Sequence, residues 1–247
     1  MGCSKMKMVF VVSAAVIALV GGRAVAADLP MRPAPFQGGP VIPDNWTGFY
    51  LGANGGPAWA RTCWTFLPAV GAPVAEGCHD VLGGAVGGQV GFNWQIGSLV
   101  LGVEGQGDWA WLAANNVSQA FPAFTNRTRV DAIVDVTGRV GYTWGAALLY
   151  VKGGGAWVRD HYSASVTATG VVAGGASETL SGWIAGVGVE WNLTRNWSLA
   201  VEYNRFDFGR KSVGFVMPAG AFFANERISQ EIDLLTARIN YRFGPPW

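Results

Sequence analysis

The feature that most constrains the fold is the strict alternation of apolar and polar side chains near the end of the chain. Every second residue from Leu235 to Phe243 is apolar or aromatic, whereas the residues between them are polar and include Arg238 and Arg242. A β-strand places successive side chains on opposite faces, so this segment has one oily face and one face with two guanidinium groups. It therefore predicts a strand that separates an apolar environment from a polar one.

The same period of two recurs along the rest of the chain. It predicts eight strands, over residues 46–60, 83–96, 99–111, 130–144, 147–162, 180–192, 197–209 and 231–243. Short connections at 97–98, 145–146 and 193–196 alternate with long ones at 61–82, 112–129, 163–179 and 210–230. This arrangement is typical of outer-membrane barrels, whose short turns are periplasmic. We therefore predict an all-β fold, an eight-stranded antiparallel transmembrane β-barrel with short periplasmic turns and long extracellular loops.

The scarcity of charge supports an outer surface that does not face water. Charged residues make up 13% of the chain, against roughly 25% in an ordinary soluble domain. Beyond residue 26 the only lysines are Lys152 and Lys211, whereas soluble β-proteins commonly place lysine on outward-facing strand positions. The net charge of +1 and the lack of a basic run give no support to nucleic-acid binding.

Tryptophan marks both ends of the predicted strands. Trp94, Trp144 and Trp191 precede the short turns, whereas Trp109 and Trp157 lie near the long loops. Indole prefers a membrane interface, where its ring contacts acyl chains and its N–H reaches the headgroups. Two such bands predict two water interfaces with hydrocarbon between them. The alternative is the aromatic core of a soluble fold.

The segments ahead of the barrel predict export. Residues 1–26 combine a positive start at Lys5 and Lys7, an apolar run and a small-residue cleavage site at Ala24–Ala26, and they predict a signal peptide. Residues 27–45 are rich in proline and predict an extended periplasmic arm. Residues 46–247 are then predicted to form the outer-membrane β-barrel.

Three short segments resemble a known family. The first strand, Trp46–Gly56, the Ala27–Pro30 start after cleavage and the Asn240–Phe243 ending are similar to the small outer-membrane β-barrel proteins of alpha-proteobacteria, called porin-like or opacity-protein-like. The resemblance implies the fold and a location in the outer membrane. Family members are variously pores, structural surface proteins, adhesins and haem binders. Either Phe243 or Trp247 would present the terminal aromatic signal to the barrel-assembly machinery.

The polar faces of the strands carry ionisable side chains that are predicted to meet in the lumen. These residues are Glu104, Asp135, Arg139, Lys152, Glu190, Glu202, Arg238 and Arg242. An eight-stranded barrel is narrow and is filled by its own side chains. We therefore predict a structural ion-pair network, and the alternative is the charged constriction of a conducting pore.

Two cysteines lie in the first predicted loop, Cys63 and Cys78. The periplasm is oxidising, so we predict a disulfide that limits the freedom of this loop; two free thiols are the alternative.

A catalytic alternative rests on His161 and Ser163, two residues apart, with Glu178 as a conceivable acidic partner. Some outer-membrane lipid hydrolases use such groups, because a serine nucleophile needs a base and an orienting acid. Sequence proximity alone supports this, and we predict no enzyme. No spacing typical of a metal site is present, and no cofactor is predicted.

These observations favour a structural, surface-exposed barrel with at most a narrow pore. The alternatives are a diffusion porin for small solutes, and ligand or host-surface binding by the loops, as an adhesin or haem binder. The loops carry suitable aromatic residues, namely Trp64, Phe66, Phe121, Phe124, Phe222 and Phe223. The expected partners are outer-membrane lipid, lipopolysaccharide and the barrel-assembly machinery, with no nucleic acid; the loop ligand is not identified.

Overall fold

Eight antiparallel strands close into a barrel in the computed structural model, which describes residues 45–243. They are β1 (Gly48–Phe66), β2 (Val74–Ile96), β3 (Leu99–Val117), β4 (Phe124–Trp144), β5 (Ala147–Val166), β6 (Val172–Asn192), β7 (Trp197–Val216) and β8 (Phe222–Phe243). Each strand pairs with its neighbours in sequence, and β8 pairs with β1 to complete the ring. The predicted fold is confirmed. The predicted signal peptide, nearly all of the proline-rich arm and Trp247 lie outside the described residues.

The periplasmic ends of the strands are those that the sequence predicts. Two-residue turns join β2 to β3 and β4 to β5. Gly97 and Gly145 begin these turns with φ of +61° and +57°, a left-handed conformation that glycine adopts without steric cost. Within residues 45–243, no helix is long and apolar enough to cross a membrane.

The predicted long extracellular loops are wrong in extent, because most of their residues continue the strands. The connections shrink to residues 67–73, 118–123, 167–171 and 217–221. The pairing of β1 with β8 extends to Phe66 opposite Glu226. The pairing of β6 with β7 is interrupted between Gly175 and Trp183. Above the apolar belt many outward side chains are polar, among them Arg61, Asp80, Arg129 and Arg159. The hydropathy alternation therefore fades there while backbone pairing persists.

The outer face carries an apolar belt between two rows of aromatic side chains. Nothing in the described chain covers this face, so side chains that point outward are exposed and buried ones fill the lumen. Trp144 in the periplasmic row is 82% exposed and Trp109 in the extracellular row is 69% exposed, with Val103 and Val136 exposed between the rows. Such a surface is suited to hydrocarbon flanked by two headgroup regions.

Candidate functional site

The lumen is divided into layers along the barrel axis, and β8 samples all of them. Its inward-facing side chains run from Arg242 and Arg238 in the periplasmic half, through Leu234 and Ile232, to Glu226 at the extracellular mouth. The layers differ in chemistry although the alternation of β8 is unbroken.

The centre of the ionic layer is a square of two carboxylates and two cations. Lys152 Nζ lies 3.1 Å from Glu104 Oε1 and 2.8 Å from Glu202 Oε1. Arg238 donates to both carboxylates, with 2.5 Å between its Nη2 and Glu104 Oε2. All four side chains are fully buried. Their charges balance, which a buried ionic cluster requires.

Arg139 and Glu190 extend this square toward the periplasm. Arg139 Nη1 lies 3.4 Å from Glu190 Oε2 and 3.9 Å from Glu104 Oε2. Glu190 also accepts hydrogen bonds from Ser198 at 2.5 Å and from Asn240 at 2.9 Å. Six of the eight ionisable residues identified in the sequence therefore lie in one connected cluster, which we call the ion network: Glu104, Arg139, Lys152, Glu190, Glu202 and Arg238.

The structure does not bring Asp135 and Arg242 into this network. Asp135 is fully buried, but neither carboxylate oxygen has a hydrogen-bond partner among the described residues. Arg242 stacks over the ring of Trp46 at 4.7 Å and donates to the backbone carbonyl of Asn45 at 2.5 Å. Alternation places both side chains in the lumen, but it does not set their height, and each lies at a different level from the network.

Two tyrosines that the sequence reasoning missed complete the ion network. Tyr50 Oη donates to Glu104 at 2.7 Å, and Tyr150 Oη donates to Glu202 at 2.6 Å. The guanidinium of Arg139 lies 4.6 Å and 5.1 Å from the centres of these two rings, within reach of a cation–π interaction. Their inward position follows from the same alternation: Tyr150 lies two residues before Lys152.

Glycines opposite these tyrosines create the space that the rings occupy. Gly91 pairs with Tyr50, and Gly188 pairs with Tyr150. A methyl group added at Gly91 would lie 2.2 Å from the Tyr50 hydroxyl, and one at Gly188 would lie 2.5 Å from Tyr150. Each ring therefore covers a glycine across the ladder, an arrangement that also fixes register.

An apolar layer lies above the ion network, and all eight strands contribute to it. Its large side chains that are at most 2% exposed are Leu112, Val130, Ile133, Val158, Ile184, Phe206, Phe208, Ile232 and Leu234. The rings of Phe206 and Phe208 are nearly parallel, with centroids 6.3 Å apart. The predicted ionic interior is wrong for the extracellular half of the lumen, where inward positions become apolar.

Closer to the mouth lie a polar layer and a second apolar cluster. Tyr162 Oη donates to Asp160 Oδ2 at 2.7 Å and lies 3.0 Å from Gln230 Oε1. The ring of Tyr162 packs edge-on against Trp64, with centroids 5.7 Å apart, in a cluster that also contains Phe215. Trp64, which the sequence placed in a loop, is 1% exposed. These layers close the barrel again below its mouth.

Cys63 and Cys78 form the predicted disulfide. The two residues face each other across β1 and β2, with Cα atoms 4.0 Å apart. The bond therefore joins two paired strands above the membrane rather than the ends of a free loop.

His161 has partners other than those suggested by the sequence. Its Nδ1 lies 2.7 Å from Ser177 Oγ, and its Nε2 lies 3.0 Å from Asp131 Oδ2. Ser163 and Glu178 are not its hydrogen-bond partners; Ser177 is, because β6 places it directly opposite His161. Asp131 sits at a bulge of β4 and also accepts from Arg129 at 2.7 Å. This chain of polar groups lies on the exposed outer face. Among the described residues, no group of three or more His, Cys, Asp or Glu side chains is arranged to hold a metal ion.

Comparison with known proteins agrees with this architecture. Residues 14–243 match the model of the family described as outer membrane protein beta-barrel domain. The chain belongs to this family. Its relatives include the 31 kDa outer-membrane immunogenic protein of Brucella melitensis biotype 1, which is 29% identical over 246 residues, covering 94% of this chain and 99% of the relative.

A second relative is the 25 kDa outer-membrane immunogenic protein of Brucella canis, 26% identical with coverage of 96% and 99%. Among solved structures, OprG from Pseudomonas aeruginosa is similar at 10% identity, a TM-score of 0.45, and coverage of 81% of this chain and 97% of that one. The resemblance noted from the sequence is confirmed, and the protein is an outer-membrane β-barrel protein.

Proposed function

We propose that this protein is a closed outer-membrane barrel with a structural, surface-exposed role and no continuous aqueous pore. The observation that carries the proposal is the apolar layer to which every strand contributes. Hydrophobic constrictions oppose the passage of ions because water leaves them. The ion network beneath this layer fills the lumen with paired charges rather than leaving free ones to line a channel.

The exposed outer surface supports the same role. Its apolar belt is suited to outer-membrane lipid, and the strands that continue above the belt would stand among lipopolysaccharide headgroups. The periplasmic ends would be recognised by the barrel-assembly machinery.

We also propose that the barrel is not an enzyme. The polar chain of Asp131, His161 and Ser177 includes a base and a hydroxyl, but a hydrolase also needs donors placed for the developing oxyanion. Arg129, the cation that contacts this group of polar residues, is already paired with Asp131 and so is not placed to act as such a donor. Ligand binding at the extracellular mouth is a second candidate function, favoured by the cavity described below.

Conductance in a planar bilayer tests the proposal. The refolded full chain is expected to give no steady openings, whereas a large porin in the same lipid serves as the positive control. Steady openings on the nanosiemens scale would refute the closed lumen and favour a diffusion porin.

A further inference from the structure

The extracellular mouth of the barrel holds a cavity that lies outside the ion network and the apolar layer. Its volume is about 230 Å³. Two carboxyl groups and four phenyl rings line it, those of Glu76, Glu226, Phe66, Phe121, Phe124 and Phe223. We call it the mouth cavity. Four of these residues belong to the aromatic set that the sequence analysis assigned to possible ligand binding.

The carboxyl groups of the mouth cavity are buried and incompletely paired. Glu76 and Glu226 are only 5% and 6% exposed. Glu76 accepts a hydrogen bond from the side-chain amide of Asn126, whereas Glu226 Oε2 has no hydrogen-bond partner within the described residues. Among residues 45–243, no lysine or arginine lines the cavity. A carboxylate buried without a partner is costly, so Glu226 favours its neutral acid form in the empty cavity. A bound ligand with a positive charge would stabilise the carboxylate form.

The phenyl rings define what kind of cation fits. Phe66 and Phe121 meet edge to face with centroids 5.4 Å apart, and Phe124 and Phe223 do so at 6.1 Å. Aromatic walls attract the substituents of an ammonium ion through cation–π interactions. A hard metal ion such as Ca²⁺ instead needs six or more oxygen ligands, which two carboxyl groups and one amide do not supply.

The cavity is a preformed, blind site. Backbone hydrogen bonds of 2.9 Å tie Leu67 to Asn225 of β8 and Gln119 to Glu76 of β2, so two connections at the rim are held to neighbouring strands. Below it, the buried cluster that includes Trp64 and Tyr162 closes the barrel. A ligand would enter from outside the cell and would go no further. Binding there is independent of whether the lumen conducts.

We propose that the mouth cavity binds a small organic cation, an ammonium ion with alkyl or aryl substituents, between the carboxyl groups of Glu76 and Glu226 and the surrounding phenyl rings. The positive charge of the ammonium group would offset the negative charge of the Glu226 carboxylate, and its substituents would contact the rings. The same chemistry occurs in free amines and in the headgroups of choline lipids.

Calorimetric titration of the full chain in a maltoside detergent tests this site, with choline as the probe. The control ligand is 3,3-dimethylbutan-1-ol, which has the shape of choline without its charge. We expect choline to bind and the neutral alcohol to bind at least about tenfold more weakly, because a charge-assisted contact is lost. Dihexanoylphosphatidylcholine as competitor separates the sources: displacement of choline admits lipid headgroups, and no displacement restricts the site to free amines.

Matched variants locate the binding. Glu226→Gln and Glu76→Gln should each weaken choline binding about tenfold or more, whereas Glu178→Gln, a change at an exposed carboxylate of β6, should leave it unchanged. Heat-dependent mobility on gels verifies that each variant is folded. If one of the glutamine variants is not folded, Phe223→Leu is tested in its place. Failure of choline to bind, equal binding of the neutral alcohol, unaltered binding by Glu226→Gln, or binding of Ca²⁺ alone would each overturn the proposal.

Discussion

Removal of the Glu202 carboxylate should destabilise the barrel more than the loss of any surface charge. Glu202 accepts from Tyr150 at 2.6 Å, lies 2.8 Å from Lys152 and also pairs with Arg238. In a Glu202→Ala variant, both cations would depend on Glu104 alone in a layer with no access to water. Breaking a buried ion pair in this way costs about 3–5 kcal/mol, a large part of a stability of about 5–15 kcal/mol.

The exposed pair of Arg205 and Glu231 provides a matched control. Its closest atoms are 2.5 Å apart, but both side chains are more than 40% exposed. Glu231→Ala should therefore cost no more than about 1 kcal/mol. Urea unfolding in lipid vesicles, followed by tryptophan fluorescence, measures both variants. Equal unfolding free energies for Glu202→Ala and Glu231→Ala would refute the reasoning that the ion network stabilises the fold.

Three further predictions concern other parts of the barrel. Gly188→Ala should displace Tyr150 and lower the unfolding free energy by about 1–3 kcal/mol; Gly138→Ala, whose added methyl group meets nothing within 4 Å, should not, and equal effects would contradict this account. Burial, aided by the charge of Glu76, raises the pKa of Glu226 from 4.5 to about 8. The folded state therefore holds this proton more tightly, and stability should fall as the pH rises from about 5 to 9. Urea midpoints at several pH values measure this, and persistence of the same dependence in Glu226→Gln would exclude this residue as its cause. The purified barrel should release no fatty acid from phospholipid vesicles; release that disappears in Ser177→Ala would show that it is an enzyme after all.

Much of the fold could be predicted because a barrel strand is specified locally. Alternation on a single strand decides which side chains face lipid, and it does so for Arg238 and Ile239 without reference to any other strand. Glycine at a tight turn fixes where strands end, so the periplasmic boundaries at Gly97 and Gly145 are visible in the sequence. The extracellular boundaries are not, because polar side chains outside the membrane remove the signal while the backbone remains paired.

The sequence by itself determined the face on which each side chain lies, the short turns and the location in a membrane, since these depend on neighbouring residues and on the solvent around the strand. Only the tertiary structure decided which inward side chains meet, because strand register sets their height. Arg238 and Arg242 are equivalent in the alternating pattern, yet one joins Glu104 and Glu202 while the other lies apart. The apolar layer and the mouth cavity likewise arise from strands that are distant in sequence and close only once the ring is complete.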